Sequence, residues 1–327
     1  MLHDLWETIK SEYTSTITGE TMIELLRPLV LAEEVTHLYT TGLPAGSRSG
    51  WHSLDTHCTF APGYWTVITG IPSHGKSTWL DNLTINLMKQ GWKFIVYSPE
   101  QQPTGLHLSN LCEILLNQSF RYGTANRMSA AQLAKAMDWL DEKILFMRRP
   151  EEDKSFVGLD LNAVMFGAQD AIEKVWAGHP KIGVIIDPWN ELDHSSLNGM
   201  NETQFINHEL MVYRNWIRMM KRVHGFIVAH PAKPQKDKDG NYKPVTLYDI
   251  NGSAAWKNKC DLGIVVRRED SDDQRLVRTM IDVEKVRYRH HGKAGFSYLK
   301  FNSGTNTFLD QNREQRYIDN ESDVDDS

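Results

Sequence analysis

The eight residues Gly70-Ile-Pro-Ser-His-Gly75-Lys76-Ser77 constrain this chain more than any other feature. They match the pattern G-x-x-x-x-G-K-[ST], in which glycine lets the backbone curl so that successive N–H groups face phosphate oxygens. An apolar run, Tyr64–Thr69, precedes the loop and a helical segment, Lys76–Gln90, follows it. That strand–loop–helix order aims a helix N-terminus at an anion. Composition alone yields such a match in a chain of this size roughly once in a hundred, and the context lowers that figure. The loop predicts a nucleotide, ATP or another NTP, held by Gly70, Ser73, His74, Gly75, Lys76, Ser77 and Thr78. Lys76 would meet the β- and γ-phosphates, and the Ser77 hydroxyl would hold Mg²⁺.

From Trp51 onward short apolar runs alternate with amphipathic segments, the pattern of a mostly parallel sheet covered by helices. Strands are expected at Tyr64–Thr69, Phe94–Ser98, Ile144–Met147, Ile182–Asp187, Gly225–Ala229 and Leu262–Val266. Helices are expected at Lys76–Gln90, Leu106–Asn117, Ser129–Asp141, Leu159–Ala177 and Thr203–Val223. Beyond Val266, strands joined by turns at Leu276–Arg289 and Phe296–Asn302 read as an antiparallel edge. Ahead of this unit, Ile23, Leu25, Leu26, Leu29 and Val30 predict a helix crossing Pro28, and Thr40–Gly50 breaks the pattern. Residues 1–49 therefore read as a helical arm and linker, 50–309 as the α/β unit, and 310–327, with Asp310, Glu314, Asp319 and Glu321, as a flexible acidic tail.

Hydrophobic residues at 40% and charged residues at 24% are globular values and exclude wholesale disorder. A net charge of −6 excludes a basic nucleic-acid coat, so any contact to a polyanion must be local. The most apolar central run, Ile182–Trp189, contains Asp187 and falls far short of a membrane span. Asp4 and Glu7 break any secretory pattern at the amino terminus. Cys58, Cys112 and Cys260 are odd in number and widely spaced, which suits reduced thiols in a cytoplasm.

Three strand ends carry polar residues toward the expected ligand crevice. Asp187 closes the run Ile182–Ile186; alone it reads equally well as a turn cap, but beside the phosphate loop it reads as a second Mg²⁺ residue. Glu100, after Ser98-Pro99, is placed to polarise a water for in-line attack, with an ordinary exposed loop glutamate as the alternative. His230, after Gly225–Ala229, is placed to hydrogen-bond a γ-phosphate or the attacking water, although most lone histidines are structural. The segment that follows holds Lys233, Lys236, Lys238 and Lys243 among Gly, Pro, Asp237 and Asp239. It reads either as a solvated charge run or as a loop gripping a phosphodiester backbone.

These motifs, in this order from Trp51 to about Asn302, resemble the RecA-type helicase domain of the DnaB-like family, as in phage primase-helicases and Twinkle. Gly50-Trp-His-Ser-Leu-Asp55 is similar to a short motif that precedes the family's phosphate strand, and Asn251-Gly-Ser-Ala to a stretch that ends in an aspartate before the next strand, here Asp261. The resemblance implies a RecA-like P-loop NTPase core, with Glu100 catalytic, Asp187 on Mg²⁺ and His230 as γ-phosphate sensor. It also implies Lys285 and Arg287 as cations lent to a neighbour's γ-phosphate, and Arg268 and Phe301 as an adenine sandwich. The implied activity is an ATP-dependent DNA helicase moving on single-stranded DNA during replication, as a hexameric ring. The alternatives are a RecA/RadA-like recombinase ATPase, and a nucleotide-switched DNA-binding or loading module without unwinding. The acidic tail would dock a primase or polymerase, or simply solubilise the chain end. The expected setting is a bacterial or phage-infected host cytoplasm, with no membrane partner.

Overall fold

The computed structural model describes residues 26–149, 158–195, 199–232, 238, 243–252, 254–269 and 278–310. It separates into two units, Met1–Ala45 and Gly46–Ser327. In the smaller, a 3-10 turn at Pro28–Leu31 leads into a helix at Ala32–Thr41. The expected helix crossing Pro28 is not what forms. Arg27 is extended, with φ −80° and ψ 143°, because the proline ring disfavours helical geometry in the residue before it. Proline instead opens the first turn, where its missing N–H costs nothing, and the helix runs on through Thr40 and Thr41 to Gly42 at φ +84°.

The larger unit is built on nine strands: β1 Trp65–Thr69, β2 Lys93–Tyr97, β3 Ile144–Phe146, β4 Ile182–Ile186, β5 Val223–Val228, β6 Leu262–Glu269, β7 Arg278–Val286, β8 Gly295–Asn302 and β9 Thr307–Asp310. Their order across the sheet is β3-β2-β4-β5-β1-β6-β7-β8-β9. The pairs from β3 to β6 are parallel, and those from β6 to β9 antiparallel. The inner parallel strands are covered on both faces, which is why β4 reads as an unbroken apolar run. In β4 all five residues are buried. Ile182, Val184 and Ile186 join one core, beneath the helices Leu161–Val175 and Glu202–Met219. Ile185 joins the other, beneath Lys76–Met88, Thr104–Leu116 and Ala130–Asp141. No helix among the described residues is long and apolar enough to cross a membrane.

The short motif ahead of β1 anchors the far edge of the sheet. Trp51 is fully buried, stacks on Trp79 at 6.1 Å and donates its indole N–H to the Phe308 carbonyl at 2.9 Å. Two boundaries move accordingly. Asp310, expected in the tail, ends β9 and accepts from the Ser53 hydroxyl; residues 311–327 lie outside those described. Residues 46–49, expected in the linker, belong to the larger unit, with Ser47 bridged to Phe60 and Ser49 buried.

Candidate nucleotide site

The carboxyl ends of β1, β2, β4 and β5 meet where strand order reverses around β1, the usual crevice of an open α/β sheet. The phosphate loop there depends on two glycines. Gly70 has φ +144°, and a Cβ on it would stand 2.1 Å from the Val266 carbonyl oxygen, so only glycine lets the chain leave β1 this close to β6. Gly75, left-handed at φ 85° and ψ 23°, opens the helix Lys76–Met88. Lys76 is 6% exposed, and its Nζ donates to the Gly70 and Ile71 carbonyls at 3.0 and 3.2 Å. Burial lowers its pKa, while the charges of Asp187 and Glu100 pull the other way. The ring Nδ1 of His74 accepts the Arg268 N–H at 3.1 Å, tying the loop to β6.

Asp187, at the end of β4, is 3% exposed. Burial pushes its carboxyl up to about 6, the neighbouring carboxylates Asp81 and Glu100 push the same way, and hydrogen bonds from Ser77 and Gln101 oppose them. Gln101 donates at 3.3 Å. Asp81 lies one helical turn beyond Ser77 and holds buried His107 Nε2 at 2.9 Å. The oxygen-only pair Ser77 and Asp187 suits a hard cation such as Mg²⁺, which keeps most of its shell as water and phosphate oxygen.

Glu100 is exposed, and its Oε1 lies 3.5 Å from His230 Nε2. Burial first, then the charge of Lys76, hold His230 below its ordinary pKa, with Glu100 opposing. Its backbone N–H donates to Asn190 Oδ1 at 2.8 Å. Two buried polar atoms in this crevice, His230 Nε2 and Ser98 Oγ, have no hydrogen-bond partner among the described residues. Such orphans fit a site that takes a polar, oxygen-rich group. Phe301 packs on Phe308 at 4.9 Å, and the Phe308 ring reaches within 3.7 Å of the Gly75 Cβ position, so this pair borders the loop. Lys238 and Lys243 are exposed; Lys233 and Lys236 lie outside the described residues.

Lys285 and Arg287 lie elsewhere. Thr66 in β1 is level with Leu262 in β6, and Leu262 with Val286 in β7, so the pair sits at the amino ends of the parallel strands. Gly70 is four residues further along β1, about 13 Å at strand rise, and two strands away. Lys285 Nζ donates to the Lys257 carbonyl and to that of Asn258 at 3.1 Å. Arg287 donates to the carbonyls of Asn258, Lys259 and Cys260 at 2.7, 3.2 and 3.1 Å. Its Nε also pairs with Asp261 Oδ1 at 3.0 Å, an atom shared with Arg218 at 2.7 Å.

No family model matches the chain. A Twinkle homologue from Arabidopsis thaliana, named as chloroplastic/mitochondrial, is 34% identical over 277 residues, covering 83% of this chain and 37% of that protein. The chain thus spans little more than a third of that relative's length. Among solved structures, an ATPase domain superposes with a TM-score of 0.70 at 15% identity, covering 86% of this chain and 98% of that one. A DnaB-like replicative helicase, described with its primase interactions, gives 0.68 at 16%, covering 88% and 68%. Over most of its length the chain is thus similar to the Twinkle homologue, and it shares the fold of these RecA-type ATPase domains. The RecA-type domain has the expected architecture, a mostly parallel sheet with helices on both faces and an antiparallel edge.

Several site residues left no mark in the sequence. Gln101, Asn190, Asp81 and His107 meet their partners across 86, 40 and 26 positions of chain. Only Asp81 had a usable signal, a carboxylate four residues after Ser77 on the same helical face.

Proposed function

We propose that the protein is a ring-forming ATP motor that moves along single-stranded DNA and displaces the complementary strand in replication. The observation that carries this reading is the placement of Lys285 and Arg287 at the end of the sheet opposite their own phosphate loop. A cation so placed serves a triphosphate on an adjoining copy, as arginines supplied across an interface do. A ring, six-membered by the family resemblance, gives every site such a neighbour.

In this reading Lys76 and the loop N–H groups bind the phosphates, and Arg268 and Phe301 hold the adenine. Ser77 and Asp187 would hold Mg²⁺, which neutralises charge on the phosphate oxygens. Glu100 orients and deprotonates the attacking water, and His230, kept neutral by burial and by Lys76, senses the γ-phosphate. Lys233, Lys236, Lys238 and Lys243 grip the strand in the channel; six copies of one local basic loop reconcile DNA binding with a net charge of −6. The helix Ala32–Thr41, with Val35 and Tyr39 exposed, packs on an adjacent protomer, and the acidic segment after Asp310 docks a primase or polymerase. Three buried free cysteines suit a reducing bacterial or phage-infected cytoplasm. A forked-duplex assay tests the reading: ATP-dependent unwinding of one polarity supports it. Pairing of homologous strands favours a recombinase, and ATP hydrolysis indifferent to DNA and without unwinding favours a switch.

A further inference from the structure

The helix Ala255–Lys259 directly precedes β6, and Glu284 lies in β7 next to Lys285. A continuous set of contacts runs through them. The His230 carbonyl accepts the Asn251 N–H at 3.2 Å, and the Asn251 carbonyl accepts the indole N–H of Trp256 at 3.2 Å. Trp256 is fully buried and meets Trp189, two residues past Asp187, edge-on at 5.1 Å. The carbonyls at the end of its helix are those that Lys285 and Arg287 hold. Beside this runs a second set. Glu284 accepts the Leu247 N–H at 3.2 Å and pairs with Lys257 at 3.3 Å. Leu247 stands at the foot of the lysine-bearing segment, and Glu284 immediately precedes Lys285.

We infer that Trp256 is a positioning residue that couples a protomer's own sensor, His230, and its lysine-bearing segment to the cations that the same protomer lends to its neighbour. The inference rests on the proposed roles of His230, Lys285 and Arg287. A five-residue helix is too short to hold itself together, so tertiary contacts decide where it sits. Ala255 and, with by far the larger side chain, Trp256 supply the buried ones. A shift at the His230 carbonyl therefore moves the helix, and with it the carbonyls that seat Lys285 and Arg287. Packed interiors transmit such shifts because they do not deform smoothly. The consequence is an order of events around a ring: the state of one site sets the cations of the next.

Trp256→Phe keeps an aromatic ring in the core and removes the indole N–H. Its ratio of DNA-stimulated to DNA-free ATP turnover is expected to fall about fivefold or more, a typical coupling magnitude, while the KM for ATP stays near that of the parent and the thermal midpoint falls by only a few degrees, the cost of a smaller ring and one lost buried hydrogen bond. Glu284→Ala, which cuts the second set, is expected to lower the same ratio by a smaller factor. An unchanged ratio in both variants, with Arg287→Ala inactive, overturns the coupling and leaves the shared site standing. Normal turnover by Arg287→Ala removes the shared site instead, and this inference with it. Hydrogen exchange on the unaltered protein gives a readout that no variant can spoil by misfolding. Adding a non-hydrolysable ATP analogue and single-stranded oligonucleotide is expected to change protection at residues 256–261 together with 230–251. A change confined to 230–251 overturns the inference.

Discussion

The two ends of the parallel strands carry opposite kinds of chemistry. At the carboxyl ends, Lys76, seated on the Gly70 and Ile71 carbonyls, and buried Asp187 border a crevice in which His230 Nε2 and Ser98 Oγ have no hydrogen-bond partner among the described residues. At the amino ends, Lys285 and Arg287 are already satisfied by backbone carbonyls and by Asp261. In the proposed reading each protomer is a phosphate receptor joined to a cation donor at the opposite end of the sheet, and that separation is what makes hydrolysis depend on assembly.

The largest test of this contrast is Arg287→Ala. Turnover is expected to fall about 10³- to 10⁵-fold, the range for a lost arginine finger, with ATP affinity almost unchanged in equilibrium titration; a matching loss of affinity would place Arg287 in the receptor. Lys76→Ala is the mirror case, expected to weaken ATP binding about a hundredfold or more as charge-assisted bonds to phosphate are lost. An affinity close to that of the parent would mean that the loop does not hold the phosphates.

Asp187 gives the contrast a pH signature. Its folded pKa of about 6 lies above the ordinary 3.8, so the folded state binds the extra proton. Stability is therefore fully present below about pH 4 and is lost as pH rises through about 6. Without Mg²⁺, Asp187→Asn is expected to stabilise the domain by about 2–3 kcal/mol at about pH 8 and by almost nothing at about pH 4. Thermal melts at the two pH values check this, and an equal gain at both would show that charge at Asp187 is not the cause. The smallest effect belongs to the segment between the ends. Lys243→Ala is expected to weaken single-stranded DNA binding a few-fold and to lower the salt slope by about 0.7, and an unchanged slope would remove Lys243 from the phosphate contacts.

The sheet was legible because parallel strands buried on both faces write themselves as runs such as Ile182–Ile186. The edge was harder to read. Thr307–Asp310 becomes a strand only by pairing with β8, and its Asp310 resembled the start of an acidic tail until Ser53 supplied a partner from the other end of the chain. Pro28 carried the right signal, but the leucines around it pointed to a longer helix than proline permits. Within the site, residues on the phosphate loop and at strand ends were readable from spacing. Gln101 and His107 were not, since a hydrogen bond to a carboxylate far along the chain leaves no local pattern.

Mixing two inactive proteins tests the central claim most directly. Lys76→Ala lacks a working receptor but keeps its cations, and Arg287→Ala keeps the receptor but lacks the donor. If each site is shared between copies, combining them creates seams with an intact half from each, and ATP hydrolysis returns to a measurable fraction of the parent rate. If both halves act within one protomer, every mixture stays as inactive as its parts.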